Sequence, residues 1–211
     1  MGNRAVITTK ENYENNGLGI YLHWNGGYDS VSAFLKYCEI KGYRSLQDDY
    51  GWARLCQVIG NFFGGSTSVG IDTVNKLDCD NGDNGVYIIE GWKIVDRKHF
   101  KGREQMNYDL EEMLLDIDGA MPKSEQIGEY LKAKEIPTSE LKVGDTVFIG
   151  QFDGKYEKQK VMGFGNDVFV NGTKVNGVPY VDMYGDNNGN YDWNINNYIL
   201  AKTVKVLDVE E

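Results

Sequence analysis

Short β-rich runs broken by asparagine–glycine pairs restrict this chain more than any other feature. It holds 26 glycines against 3 prolines, and glycine follows asparagine at Asn16-Gly17, Asn25-Gly26, Asn81-Gly82, Asn84-Gly85, Asn171-Gly172, Asn176-Gly177 and Asn188-Gly189. Both residues tolerate positive φ, which tight turns between strands require. With 211 residues the chain can form one large domain or two small ones, each with a buried core.

The elements between the turns predict an α+β fold. Ala5–Thr9 and Leu18–Trp24 read as two strands joined at Asn15-Asn16-Gly17, a hairpin. Asp29 or Ser30 is expected to cap a helix with Val31, Phe34, Leu35 and Cys38 on one face, stopped at Gly42. A second helix is expected over 49–63, along Trp52, Leu55, Cys56, Ile59, Phe62 and Phe63. Val69–Val74 and Val86–Val95 read as further strands. Residues 1–105 are therefore expected to form an N-terminal α+β domain of two helices and a small antiparallel sheet.

Residues 106–138 read as an acidic helical connector. Leu110, Met113, Leu114 and Ile117 recur at helical spacing, and a second helix follows Ser124 with Ile127, Tyr130 and Leu131 facing inward. Ile136-Pro137-Thr138-Ser139 reads as a linker. Over residues 139–211, short strands near 146–149, 158–162, 168–170, 180–183, 198–200 and 203–207 alternate with turn signals. They are expected to form a C-terminal small β-barrel.

The stretch Leu77-Asp78-Cys79-Asp80-Asn81-Gly82-Asp83-Asn84-Gly85-Val86-Tyr87 looks like a calcium loop, yet no EF-hand register fits it. From Asp78, the place of the sharp-turn glycine falls on Asp83 and that of the last carboxylate on Ile89. From Asp80, Gly85 fits, but Gly82 and Gly91 replace two ligands. The strand-like Val86–Ile89 also stands where a helix is needed, so a hairpin-type turn is the expectation. A calcium-dependent interaction module is kept as an alternative. Asp186-Asn187-Asn188-Gly189-Asn190-Tyr191-Asp192 is read in the same way, as a turn.

Charge supplies the functional lead. The net charge is −10, made up of −1 over residues 1–105, −6 over 106–140 and −3 over 141–211. Acid is thus concentrated in the central segment, on Asp109, Glu111, Glu112, Asp116 and Asp118. That face repels phosphate and should not bind nucleic acid directly. It could occupy the basic groove of a protein or ribonucleoprotein that handles nucleic acid, as a surrogate for the phosphate backbone. The preceding basic run, Lys93, Arg97, Lys98, Lys101 and Arg103, is expected to neutralise the acids or to be solvated.

Signals for chemistry are few. The two histidines are His23 and His99. A small hydrolase using His23 with Asp29 or Cys79 is the catalytic alternative, although the spacing fits no cysteine-hydrolase signature. His23 and Trp24 are also candidates for a partner-binding corner. No dinucleotide loop, phosphate loop, C-x-x-C or H-E-x-x-H is present. No cofactor and no metal are expected. Met1–Val6 lacks a signal-peptide apolar core, no run approaches the length of a membrane span, and Cys38, Cys56 and Cys79 read as reduced thiols. Cytoplasmic localisation without membrane contact is the expectation.

The runs "GNRAVITTKENYENNGLGIYLHWNGG", "GWARLCQVIGNFFGG" and "LDCDNGDNGVYIIEGW" resemble small uncharacterised accessory proteins of phages and mobile elements of Gram-positive bacteria, over the N-terminal half only. The resemblance implies a setting in which such proteins block host defences, anti-CRISPR inhibitors among them. The expected function is that of a non-catalytic acidic binding protein. It would obstruct a host nucleic-acid-handling defence complex, with Asp109, Glu111, Glu112, Asp116, Asp118, His23 and Trp24 as the contact residues.

Overall fold

The computed structural model describes residues 2–46, 48–151, 154–170, 172–182 and 196–207. The chain divides into two compact units, Met1–Gln126 and Ile127–Glu211.

The first unit is built on a five-stranded sheet of order β3-β2-β1-β4-β5, with β1 at Ala5–Thr9, β2 at Leu18–Leu22, β3 at Val69–Thr73, β4 at Val86–Glu90 and β5 at Lys93–Lys98. The expected all-antiparallel pairing does not hold, because β1 runs parallel to β4 at the sheet centre. Both strands read as unbroken apolar runs, Ala5-Val6-Ile7 and Val86-Tyr87-Ile88-Ile89, and both are buried on either face. Central parallel strands carry that signature, whereas a half-exposed hairpin alternates.

Strands β1 and β2 do pair antiparallel, but a helix connects them in place of a tight turn. It is α1 (Lys10–Asn15), capped by the Thr9 hydroxyl, which accepts from Asn12 N at 3.2 Å. Asn16 ends it in the left-handed conformation, φ 55°. The Asn-Gly signal here is thus a helix C-cap.

Helices α2 (Tyr28–Ile40) and α3 (Asp49–Phe62) pack with α4 (Leu110–Gly119). The N-cap of α2 is Gly27, so Asp29 and Ser30 lie inside its first turn. Asp48 caps α3 by accepting from Gly51 N at 2.9 Å. Gly51 has no substitute there, since a Cβ would lie 1.9 Å from the Ser45 carbonyl oxygen. Val31, Phe34, Leu35 and Cys38 of α2, Leu55, Val58 and Ile59 of α3, and Met113, Leu114 and Ile117 of α4 are all buried. The acidic helix therefore belongs to the first unit's core. On the opposite sheet face Val6, Val86 and Ile88 gather Tyr13, Tyr21, Leu77 and Cys79.

In the second unit, α5 (Gly128–Lys132) leads into β6 (Lys134–Pro137), β7 (Thr146–Gly150), β8 (Tyr156–Gly165), β9 (Val168–Val170), β10 (Thr173–Val175), β11 (Val178–Asp182), β12 (Asn196–Tyr198) and β13 (Thr203–Val206). The stretch expected to be a linker, 136–139, instead holds the end of β6 and the start of a 3-10 turn at Thr138–Glu140. Six strands form one sheet of order β12-β11-β8-β7-β13-β6, while β9 and β10 form a separate hairpin.

The expected small β-barrel is overturned: this sheet is open. Closure needs hydrogen bonds between the two edge strands, yet β12 and β6 stand at opposite ends of the order. The edge β6 also ends on Pro137, which has no N–H to donate. One face carries the core of Leu141, Val147, Val161, Val181, Ile199 and Val204. Gly163 and Gly165 of β8 leave room for the rings of Tyr180 and Tyr198, whose nearest ring carbons lie 3.0 Å and 2.4 Å from where a Cβ would stand. The loop 186–192 lies outside the described residues.

Candidate functional site

The start of α2 and the segment leading into the acidic helix are joined through one carboxylate. Past the end of β2 the chain runs through His23, Trp24 and Asn25 to Gly26-Gly27, where α2 begins. Asp29, in the first turn of α2, is buried and accepts from the backbone N–H groups of Ser30 at 2.7 Å, Tyr108 at 2.9 Å and Asn107. The segment 105–108 is thereby fixed against the start of α2. Gly27 permits the approach, since a Cβ there would lie 2.6 Å from the Gln105 carbonyl oxygen.

This joint assembles a surface. Tyr28, next to Asp29, is 40% exposed, and Met106 61%, Tyr108 47% and Leu110 45% on the segment bound to it; Trp24, 45% exposed, lies five residues before Asp29 in the chain. Monomeric proteins scatter such residues singly, and a cluster of them marks a contact surface. His23 is exposed, with Nδ1 3.2 Å from the Tyr21 hydroxyl and its ring edge-on to Trp24 at 5.1 Å.

The acids follow at once. Asp109 is the N-cap of α4, accepting from Glu111 N at 2.9 Å and Glu112 N at 3.2 Å. Glu111 and Glu112 sit in the first turn, where the helix dipole favours negative charge. Asp109, Glu111, Glu112 and Asp116 are exposed, and among the described residues none of them has an ion-pair partner. Asp118 does not belong with them. It is 4% exposed and accepts from the Tyr37 hydroxyl at 2.7 Å, so it is unavailable to a partner.

Three residues of the basic run are paired within their own neighbourhood. Arg97 lies between the rings of Tyr87 at 4.3 Å and Phe100 at 3.6 Å, donates to the Asn84 carbonyl at 3.0 Å and pairs with Glu104. Lys98 pairs with Asp96, and Lys101 with Asp80.

The Asn/Asp-rich loop is organised by Asn81, which is buried. Its Oδ1 accepts from Asp83 N and Gly85 N, both at 3.0 Å, and its Nδ2 donates to the Asp78 carbonyl at 3.0 Å. Gly82 and Gly85 hold φ of 73° and 66°. Asp83 is bound by Arg4 at 2.7 Å, Asp78 lies 3.5 Å from Arg4, and Asp80 pairs with Lys101. Among the described residues no group of three or more His, Cys, Asp or Glu could hold a metal ion.

His23, Asp29 and Cys79 are not brought together by any described hydrogen bond. The Asp29 carboxylate serves backbone donors, and the Cys79 thiol donates to the Val74 carbonyl at 3.4 Å. Burial, with Asp78 nearby, raises that thiol above its ordinary pKa, which lowers the thiolate fraction on which a nucleophile depends.

No family model, curated protein or solved structure matches this chain. Among the described residues no helix is long and apolar enough to cross a membrane.

The joint at Asp29, and with it Tyr28, Met106, Tyr108 and Leu110, has no counterpart in the sequence reading. The available signal was the apolar residues of Met106-Asn107-Tyr108-Asp109-Leu110, set among polar neighbours without helical or strand spacing.

Proposed function

We propose that the protein acts by binding and not by catalysis, docking a basic surface of a bacterial partner onto the aromatic and acidic end of its first unit. The observation that supports this reading best is the Asp29 joint. It sets Tyr28 beside the segment carrying Met106 and Tyr108, which leads into the carboxylates of α4 that have no ion-pair partner among the described residues. Aromatic anchors with a charged rim are the composition of protein interfaces. An arginine on the partner would satisfy both parts, stacking on a ring while pairing with a carboxylate.

Charge supports the choice of partner class. A cytoplasmic nucleic-acid-handling defence protein or ribonucleoprotein presents basic grooves of the required sign, and occupying one would obstruct it. The exposed carboxylates of α4 and its cap extend from Asp109 to Asp116, about 10 Å of helix. That length suits plugging a local basic site, not imitating a long duplex.

The test is quantitative mass spectrometry of proteins captured from a Gram-positive lysate by the wild-type chain and by Trp24→Ala and Glu111→Lys/Glu112→Lys variants. A basic partner kept by the wild type and lost by both variants is the expected result. Identical capture by all three would refute the reading.

A further inference from the structure

We propose that β3 is the pairing edge for a second copy of this chain, through an antiparallel two-fold ladder centred on Ile71. The strand is one edge of the first unit's sheet. Its inner side is settled by two bonds, His23 N to the Ser68 carbonyl at 2.8 Å and Val74 N to the Gly17 carbonyl at 2.9 Å. With the unbroken register Leu18↔Thr73 to Leu22↔Val69, alternation makes Gly70 and Asp72 the residues bonded to β2. Val69, Ile71 and Thr73 therefore turn their N–H and C=O groups outward.

Edges of this kind are normally defended by lysine, proline or a bulge. The opposite edge, β5, carries Lys93, Arg97 and Lys98, and its pairing shifts register at Ile88/Ile89. Strand β3 has none of these devices. Its single charge, Asp72, bends back to Thr73 N at 2.7 Å and to Lys76 at 3.1 Å. Ile71 is 51% exposed although its cross-strand neighbour Ile20 is fully buried.

A second copy fits this edge by symmetry. A two-fold axis in an antiparallel ladder pairs one residue with itself; placed on Asp72 it would set two carboxylates opposite each other, and placed on Gly70 it would leave Thr73 facing beyond the end of β3. An axis on Ile71 avoids both and brings all three outward-facing residues of each strand into the ladder. Centred there, Ile71 packs on Ile71 of the second copy, Val69 faces Thr73, and Asp72 faces Gly70. No carboxylate then meets another. Because the Thr73 N–H is already held by Asp72, the ladder supplies about four inter-copy hydrogen bonds, so the dimer is weak and forms at high concentration.

Sedimentation equilibrium of the full chain from roughly 1 μM to roughly 1 mM, the range bracketing weak association, tests this together with amide hydrogen exchange. The mass should rise from the single-chain 23.8 kDa toward twice that value, with the Val69 and Ile71 amides exchanging more slowly as it rises. Ile71→Pro removes an outward donor without touching the β2 ladder and should stay at single-chain mass. If that variant does not fold, Ile71→Lys decides, since an edge lysine blocks pairing. The proposal is overturned by single-chain mass throughout, by association that the folded variants keep, or by association that leaves the Val69 and Ile71 amides unchanged.

Discussion

The Tyr37 hydroxyl donates to Oδ1 of Asp118 at 2.7 Å inside the first unit, joining α2 to α4. Both residues are buried, so removing the acceptor strands a phenol away from water. Asp118→Ala is expected to cost about 1–3 kcal/mol, read from urea denaturation. Alanine at Glu111 or Glu112 should change stability by no more than about 0.5 kcal/mol. Equal effects at all three sites would show that Asp118 is as solvated as the others.

The same bond predicts alkaline sensitivity. Burial first, and then the hydrogen bond to Asp118, hold the Tyr37 phenol well above the ordinary tyrosine value of 10.0. Burial does the same for Tyr87. A raised folded-state pKa stabilises the fold fully below the unfolded value, and that contribution is lost as pH rises beyond it. Stability should fall above about pH 10, by about 1.4 kcal/mol per pH unit for each such phenol. Denaturation midpoints across pH, with tyrosinate absorbance as a second signal, check this. Phenols that all titrate gradually in a folded protein would contradict it.

Periodicity made the long helices legible, and contacts distant in sequence hid the rest. The stripe of Trp52, Leu55, Cys56, Ile59, Phe62 and Phe63 placed α3 within one residue of its observed end. Helix α1 escaped because its six residues bury nothing; only Thr9 and Asn16, as caps, signalled it. Whether the C-terminal strands close depends on edge pairing, which turn signals do not encode. Asp118 could have been placed correctly, since it follows the buried Leu114 by four residues and so shares its helical face. The Asp29 joint could not, because its backbone partners lie 78 and 79 residues away.

Asn81 holds the Asn/Asp-rich loop through its side-chain amide, and its carboxylates already have cationic partners. Asn81→Ala should cost about 2 kcal/mol or more, while added calcium should leave the melting temperature of the wild type unchanged. A melting temperature that climbs with calcium would instead reveal binding to the folded state.

The described asparagine–glycine pairs should resist deamidation while folded. Succinimide formation needs the glycine nitrogen to attack the asparagine side-chain carbon and expel ammonia. Gly17 N is held by the Asn12 carbonyl, Gly26 N by the Asn3 carbonyl, Gly85 N by Asn81 Oδ1 and Gly177 N by Asn166 Oδ1. At Asn81-Gly82 the asparagine itself is buried and bonded. Peptide mapping should find these sites intact in native protein and modified after incubation in urea. Equal rates in both states would mean that these bonds open freely.

Docking through α4 is electrostatic in this proposal. The decisive measurement is the affinity of the captured, purified partner across salt concentrations, for the wild-type chain and the Glu111→Lys/Glu112→Lys variant. Affinity for the wild type should drop steeply as ionic strength rises, with the variant binding weakly and showing a shallower dependence. An affinity indifferent to salt and unchanged by the two reversals would contradict it.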